Sequence, residues 1–327
     1  MEKTVPQPAG PVTEVIRAAG DHVPALLARV EHRLAELAAD HGETLAEHAG
    51  ATIAAGGKRL RPLLVFLAAG EGDGEGLVRA ATAVELVHSA TLVHDDVLDG
   101  AALRRGIPTV VSSAGRGAAT ATGDLLFARA FSELARNGNV EEIRVLSDAS
   151  CALAEGELRQ RADAWDAAVP VERYLYRCEL KTARLFEAAC RLGALESDAD
   201  PDDLGAFGRR IGLAFQLLDD VLDVSGPASR TGKHRGTDLR DGTVTLPLIL
   251  ARERDPGLAA LDPRTVRDAG AAEAVCDRIE ATGALDEARR RALAIVDDAK
   301  EHLGADLPAR QRAALELVAN GVVARYA

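Results

Sequence analysis

Apolar residues recur three and four positions apart along most of the chain, as at Leu26, Leu27, Val30, Leu34 and Leu37, and few stretches alternate with period two. The pattern predicts an all-α protein with helices over 22–40, 43–55, 59–69, 77–99, 115–136, 140–161, 171–193, 202–224, 245–254, 264–283, 285–303 and 308–325. The breaks fall at Gly- or Pro-bearing segments, most clearly 70–76, 100–111, 197–201 and 225–242. No repeat of fixed period is present, which argues against a solenoid. No break is long or polar enough to separate the chain into domains, so residues 1–327 are expected to form a single large helical bundle. Residues 1–12, with three prolines and no apolar core, are expected to be a disordered tail rather than a signal peptide.

Composition narrows the function. The 327 residues are 47% hydrophobic and 28% charged, a globular balance. A net charge of −12, from 39 basic and 51 acidic residues, argues against nucleic acid as a partner. No run of ~18 apolar residues is present, so stable membrane insertion is not expected. Cys151, Cys178, Cys190 and Cys276 lack metal-type spacing and read as reduced, buried thiols in a cytoplasmic protein. Only five of the 39 basic residues are lysine, so their positions are informative.

Two acidic clusters stand out. Asp95 and Asp99 are four apart and share a helix face, with Asp96 beside them; Asp219 and Asp223 repeat this spacing around Asp220. Both carry the string Asp-Asp-Val-Leu-Asp near the end of an apolar helix, where like charges repel and the macrodipole disfavours anions. A divalent cation relieves both penalties, and hard oxygen ligands suit Mg2+. Asp297, Asp298 and Glu301 have similar spacing, but follow only a short apolar run and read as surface.

Basic residues are placed to match. Lys58, Arg59 and Arg61 follow Gly56-Gly57 at a predicted helix start, where backbone amides favour phosphate. Arg104 and Arg105 lie just after the first acidic cluster, Lys181 precedes Thr182 in a helix, and Lys233 follows the second cluster. Carboxylates for metal and cations for phosphate together describe a site for two diphosphates.

The ordered series Gly56-Gly57-Lys58-Arg59-Leu60-Arg61-Pro62, His94-Asp95-Asp96-Val97-Leu98-Asp99, Arg104-Arg105-Gly106, Gly123-Asp124, Lys181-Thr182, Phe215-Gln216-Leu217-Leu218-Asp219-Asp220-Val221-Leu222-Asp223 and Gly232-Lys233 resembles the trans-isoprenyl diphosphate synthase (polyprenyl synthetase) family. The resemblance implies an all-α bundle around a central cavity, usually a homodimer, that joins isopentenyl diphosphate to an allylic diphosphate. It implies three Mg2+ ions, with Asp95, Asp99 and Asp219 as direct ligands and Asp96, Asp220 and Asp223 acting directly or through water. Lys58, Arg61, His88 and Arg105 resemble the isopentenyl diphosphate grip. Arg104, Lys181, Thr182, Gln216 and Lys233 resemble the allylic grip, with Lys181 and Thr182 also steadying the allylic cation. One departure is Thr243, which stands where the family often has lysine; Arg240 or Arg235 is the expected substitute.

Product length is read from the helix before the first cluster. Short-chain members carry bulky aromatics four or five positions before the motif, where this chain has Thr91 and Ala90, with Val87, Val84 and Ala83 further up. Residues 67–126 contain no Phe, Tyr or Trp, which predicts an open wall ~16 Å long at about 1.5 Å per residue. Phe127 and Phe131 are candidates for a deeper floor or for ordinary core packing. The expected product is about C30 to C50, with C20 as the alternative. A terpene cyclase is disfavoured by ten aromatics in 327 residues, and a non-catalytic subunit or scaffold by the retention of all six motif aspartates.

Overall fold

The computed structural model describes residues 11–40, 43–54, 59–104, 106–197, 199–226, 235–304 and 306–324. The described residues are almost entirely helical, and their single sheet is a two-stranded hairpin of two-residue strands. The helices follow the apolar periodicity closely. Additions are a short helix α1 (Pro11–Ala19), the hairpin β1 (Leu103–Arg104) and β2 (Ile107–Pro108), and short turns of helix at Thr237–Arg240 and Pro256–Ala259. Residues 1–10 of the expected tail lie outside the described residues; its last two begin α1, where proline suits the first helical position.

The chain divides into two compact units. One comprises Met1–Ser150, Leu185–Gly208 and Leu303–Gly321; the other comprises Cys151–Arg184, Arg209–His302 and Val322–Ala327. In the first, α2 (His22–Ala39) buries Leu26, Val30, Leu34 and Leu37, the three-and-four stripe read from the sequence. After α3 (Glu43–Ala54) and α4 (Leu60–Ala69), the central element is α5 (Glu75–Asp99), buried nearly all round from Leu77 to Val87. By length and composition α5 passes as a membrane span, but 72% of its most apolar window is buried, which is how a core helix reads.

α6 (Val110–Ala135) packs against α5 and starts five residues before the expected 115, because Thr109 caps it by accepting the Ser112 N–H at 3.2 Å. Gly115 (φ 83°, ψ 171°) then breaks the helical backbone. Where α6 meets α5, a Cβ on Gly123 would stand 2.2 Å from His94 Nε2, so any larger residue would displace the imidazole. Arg33 ties α2 to α6 by two 2.9 Å bonds to the fully buried Glu133.

Residues 171–195, whose first fourteen belong to the second unit, run as one continuous helical stretch, as expected. It is interrupted by a π turn at Glu179–Ala183, closed by the Arg184 N–H bonding to the Glu179 carbonyl. The last long helix of the second unit, Ala284–Glu301, carries Asp297 and Asp298 on its surface, with Asp298 ion-paired to Arg210 and to His302 when protonated.

Glu142 is a buried carboxyl of the first unit. Asn137 Nδ2 donates to its Oε2 at 2.9 Å. Burial first, and then the hydrogen bond shared with Glu196, push its pKa up to about 8. The folded state therefore keeps a proton that the unfolded chain releases near pH ~4.3. Stability contributed by the protonated form is complete below that value and falls as pH rises towards about 8. Glu142→Gln removes this dependence: its melting temperature should match wild type at pH ~4.5 and exceed it at pH ~8. A difference that does not change with pH, measured by thermal denaturation, would contradict the assignment.

Candidate active site

The first acidic cluster closes α5. Gly100, in the left-handed region (φ 62°, ψ 30°), ends the helix, and its N–H and that of Ala101 return to the Asp96 carbonyl. The chain then turns through the hairpin, with Gly106 at φ 79°, and brings Arg104 back over the helix end. Arg104 Nε and Nη2 lie 2.8 and 2.7 Å from Asp96 Oδ1. Asp96 is only 6% exposed, whereas Asp95 is half-buried and Asp99 exposed. The three carboxylates thus divide into one inner and two outer groups. The open stripe of α5 runs His88, Thr91, Leu92, Asp95 and Asp99, the spacing of one helix face.

The second cluster divides in the same way within the other unit. Asp219 is exposed, Asp223 half-buried and Asp220 buried. Asp220 Oδ2 accepts from the Tyr174 hydroxyl at 2.6 Å and Oδ1 from Gln216 Nε2 at 2.7 Å. Gln216 Oε1 in turn accepts from the Thr182 hydroxyl at 2.7 Å. Thr182, Gln216, Asp220 and Tyr174 therefore form one buried hydrogen-bonded chain. Burial pushes Asp220 up to about 8, with the Asp238 charge adding to it, against the two hydrogen bonds. Burial likewise holds the Tyr174 phenol well above its ordinary value. Asp223 Oδ2 accepts the Asp238 N–H at 3.2 Å, which places the Thr237–Arg240 turn against the end of the motif helix.

Among the described residues, no three His, Cys, Asp or Glu side chains converge as a metal cage. Each motif instead turns two outer carboxylates away from the core. That donor set fits Mg2+, which takes one or two carboxylates and keeps waters or substrate phosphates for its remaining positions.

Among the described basic groups, Arg59, Arg104 and Lys181 are held by carboxylates. Lys58, Arg105 and Lys233 lie outside the described residues. Arg59 takes a left-handed conformation (φ 46°, ψ 40°) that is costly for a residue with a Cβ. It is fixed there by Glu31 at 2.5 and 3.1 Å, Glu85 at 2.7 Å and the Ile53 carbonyl at 3.0 Å. Burial opposes its charge, but Glu31 and Glu85 raise its pKa overall. Arg59 thus anchors the turn, and Arg61, half-buried two residues on, lies 4.8 Å over the Phe186 ring. His88 is half-buried on the open stripe of α5. Lys181 Nζ is 2.5 Å from Glu157 Oε2.

Two expectations change. Ala90, Val87 and Val84 have no exposed surface, so the open face of α5 ends at His88 and not at Val84. Residues 81–87 are buried all round. Phe127 stacks on His94 with ring centroids 5.8 Å apart, which puts it level with the motif; Phe131 lies one turn further along and is also half-buried. The second change concerns Thr243. Arg235 is committed elsewhere, to the Val224 carbonyl at 2.7 Å and to Asp277 and Glu280, whereas Arg240 is exposed. The Thr243 turn is fastened by the Trp165 N–H on the Gly242 carbonyl at 2.8 Å and by Arg177 on the Val244 carbonyl at 2.7 Å.

Tyr174, Glu157 and Glu31 escaped the sequence reading. The available signals were a glycine inside a helix, Gly156 next to Glu157, and a tyrosine seven residues before Lys181.

Residues 42–279 match the polyprenyl synthetase family. The chain is 39% identical over 269 residues to heptaprenyl diphosphate synthase component 2 of Geobacillus stearothermophilus, covering 80% of this chain and 83% of that one. The polyprenyl synthase of Caulobacter crescentus CB15, solved with calcium and isoprenyl diphosphate, superposes with a TM-score of 0.90 at 37% identity, covering 98% of this chain and 100% of that one. A decaprenyl diphosphate synthase from Rhodobacter capsulatus gives a TM-score of 0.87 at 33% identity, covering 97% and 99%. The chain belongs to the polyprenyl synthetase family and is a prenyltransferase with the all-α isoprenoid synthase fold.

Proposed function

We propose that the protein condenses isopentenyl diphosphate with an allylic diphosphate to make an all-trans polyprenyl diphosphate of about C30 to C50. The observation that carries the reading is the shared division of the two acidic motifs into a buried inner carboxylate and outward-facing ones. Asp95, Asp99 and Asp219 would hold the magnesium ions, with Asp223 assisting. Asp96 and Asp220 are engaged by Arg104 and by Tyr174 with Gln216, and serve as anchors that keep the outer pairs aimed. Magnesium, when bound, supplies Lewis-acid stabilisation of the leaving diphosphate.

The chain's own residues position and balance charge. Lys58, Arg61, His88 and Arg105 hold isopentenyl diphosphate; Arg104, Lys181, Thr182, Gln216 and Lys233 hold the allylic diphosphate. The allylic carbon–oxygen bond breaks, the isopentenyl double bond attacks the allylic carbon, and a proton then leaves to the departing diphosphate. The Lys181 ammonium and the Thr182 hydroxyl would face the developing charges. The names of the relatives, heptaprenyl and decaprenyl, support a long product. We assign the protein to the cytoplasm as a homodimer, in keeping with the family resemblance.

Incubation with Mg2+, labelled isopentenyl diphosphate and farnesyl diphosphate should give products ending between about C30 and C50. Asp95→Ala and Asp219→Ala should each lower turnover by several orders of magnitude with melting temperature preserved. Absence of any condensation product, or near-normal turnover in both variants, would overturn the reading.

Thr91 lies one turn before Asp95 on the open stripe, whereas Ala90 is buried. Thr91→Phe should therefore shorten the product while preserving the first condensation, whereas Ala90→Phe should destabilise the fold by overpacking. An unchanged product from a stable Thr91→Phe enzyme would show that the chain does not grow along this face.

A further inference from the structure

Lys181 sits in the π turn Glu179–Ala183, and three features of the second unit are built around it. A π turn inserts an extra residue into a helix and re-aims the side chains that follow. Gly156, on the neighbouring helix Val140–Ala162, lies directly against this turn. A Cβ there would stand 2.6 Å from Lys181 N and 2.9 Å from its Cα, so no other residue fits without displacing the backbone of Lys181. The next residue, Glu157, reaches the far end of the same side chain, with Oε2 2.5 Å from Lys181 Nζ. Its other oxygen accepts from Arg161 Nε at 2.7 Å.

The charges are arranged for a purpose beyond packing. The Glu157 side chain is only 13% exposed and Lys181 27% exposed. Burial works against an ionised Glu157, but Lys181 and then Arg161 hold its pKa below the ordinary value. The carboxylate therefore stays charged and the group of three carries one net positive charge. An ammonium has three donors, of which Glu157 takes one. A long flexible lysine stem is thus immobilised at its backbone by Gly156 and at its tip by Glu157, with donor capacity left for an anion.

We propose that Glu157 is a positioning residue: with Gly156, it fixes the Lys181 ammonium before the allylic diphosphate arrives, and it affects turnover only through Lys181. The proposal rests on the reading of Lys181 as an allylic diphosphate contact. Preorganisation of this kind lowers what must be ordered during reaction.

The test is a double-mutant cycle in the full-length enzyme, with KM measured separately for farnesyl diphosphate and isopentenyl diphosphate. Lys181→Ala should raise the farnesyl diphosphate KM or lower kcat by about tenfold or more, leaving the isopentenyl diphosphate KM within about twofold. Glu157→Ala should produce the same substrate-selective defect, and adding it to Lys181→Ala should change nothing further, within about twofold. Glu157→Gln keeps an oxygen acceptor for Nζ and should recover kcat to within about threefold of wild type. Gly156→Ala should reproduce the selective defect by displacing the lysine backbone. A Glu157→Ala enzyme with normal kinetics, an additive loss in the double variant, or equal effects on both KM values would overturn the inference while the role of Lys181 stands. Lys181→Ala with unchanged farnesyl diphosphate kinetics would overturn the role of Lys181, and the inference with it.

Discussion

A carboxylate buried at the inner position of each Asp-Asp-x-x-Asp motif, and held by partners from its own compact unit, is the constraint on which the rest of the site depends. Asp96 is held by Arg104, and Asp220 by Tyr174 and Gln216. An ionisable group at such depth is tolerated only when it is paired or hydrogen-bonded. Fixing it fixes the rotation of the helix that carries it. The outer carboxylates, Asp95 with Asp99 and Asp219 with Asp223, are then turned to one side by helix geometry alone.

The surrounding backbone makes the anchors available. Gly100 turns the chain so that Arg104, eight residues after Asp96, reaches back to it. The π turn interrupts a helix that would otherwise be regular and brings Lys181 and Thr182 to separate partners, Glu157 and Gln216. Arg59 adopts a left-handed conformation that glycine would take more easily, yet its guanidinium is needed to bind Glu31 and Glu85. In each case a local backbone irregularity is offset by a charged hydrogen bond, and each lies beside a residue assigned to substrate.

Most of the helices were legible because their signal is local and repeats over many residues: Leu26, Val30, Leu34 and Leu37 are all buried where the spacing put them. The hairpin was not legible, since strands of two residues cannot show an alternating pattern. The π turn shifts the helical register by a single residue, too little to alter the apolar period of 171–195. The division of the aspartates was present but unread. Asp96 continues the buried row Ser89 and Val93, and Asp220 continues Leu217 and leads to Val224. Small apolar residues such as Val84 and Val87 suit a cavity lining or a close-packed core equally well, and both are buried from solvent here.

The central claim is that the outer aspartates meet the metal while the inner ones remain with the protein. A crystal structure of the enzyme with Mg2+ and inorganic diphosphate tests it most directly. The account predicts metal–oxygen distances of about 2.0–2.1 Å to Asp95, Asp99 and Asp219, with Asp96 still on Arg104 and Asp220 still on Tyr174. Direct coordination by Asp96 or Asp220, with those bonds broken, would contradict it.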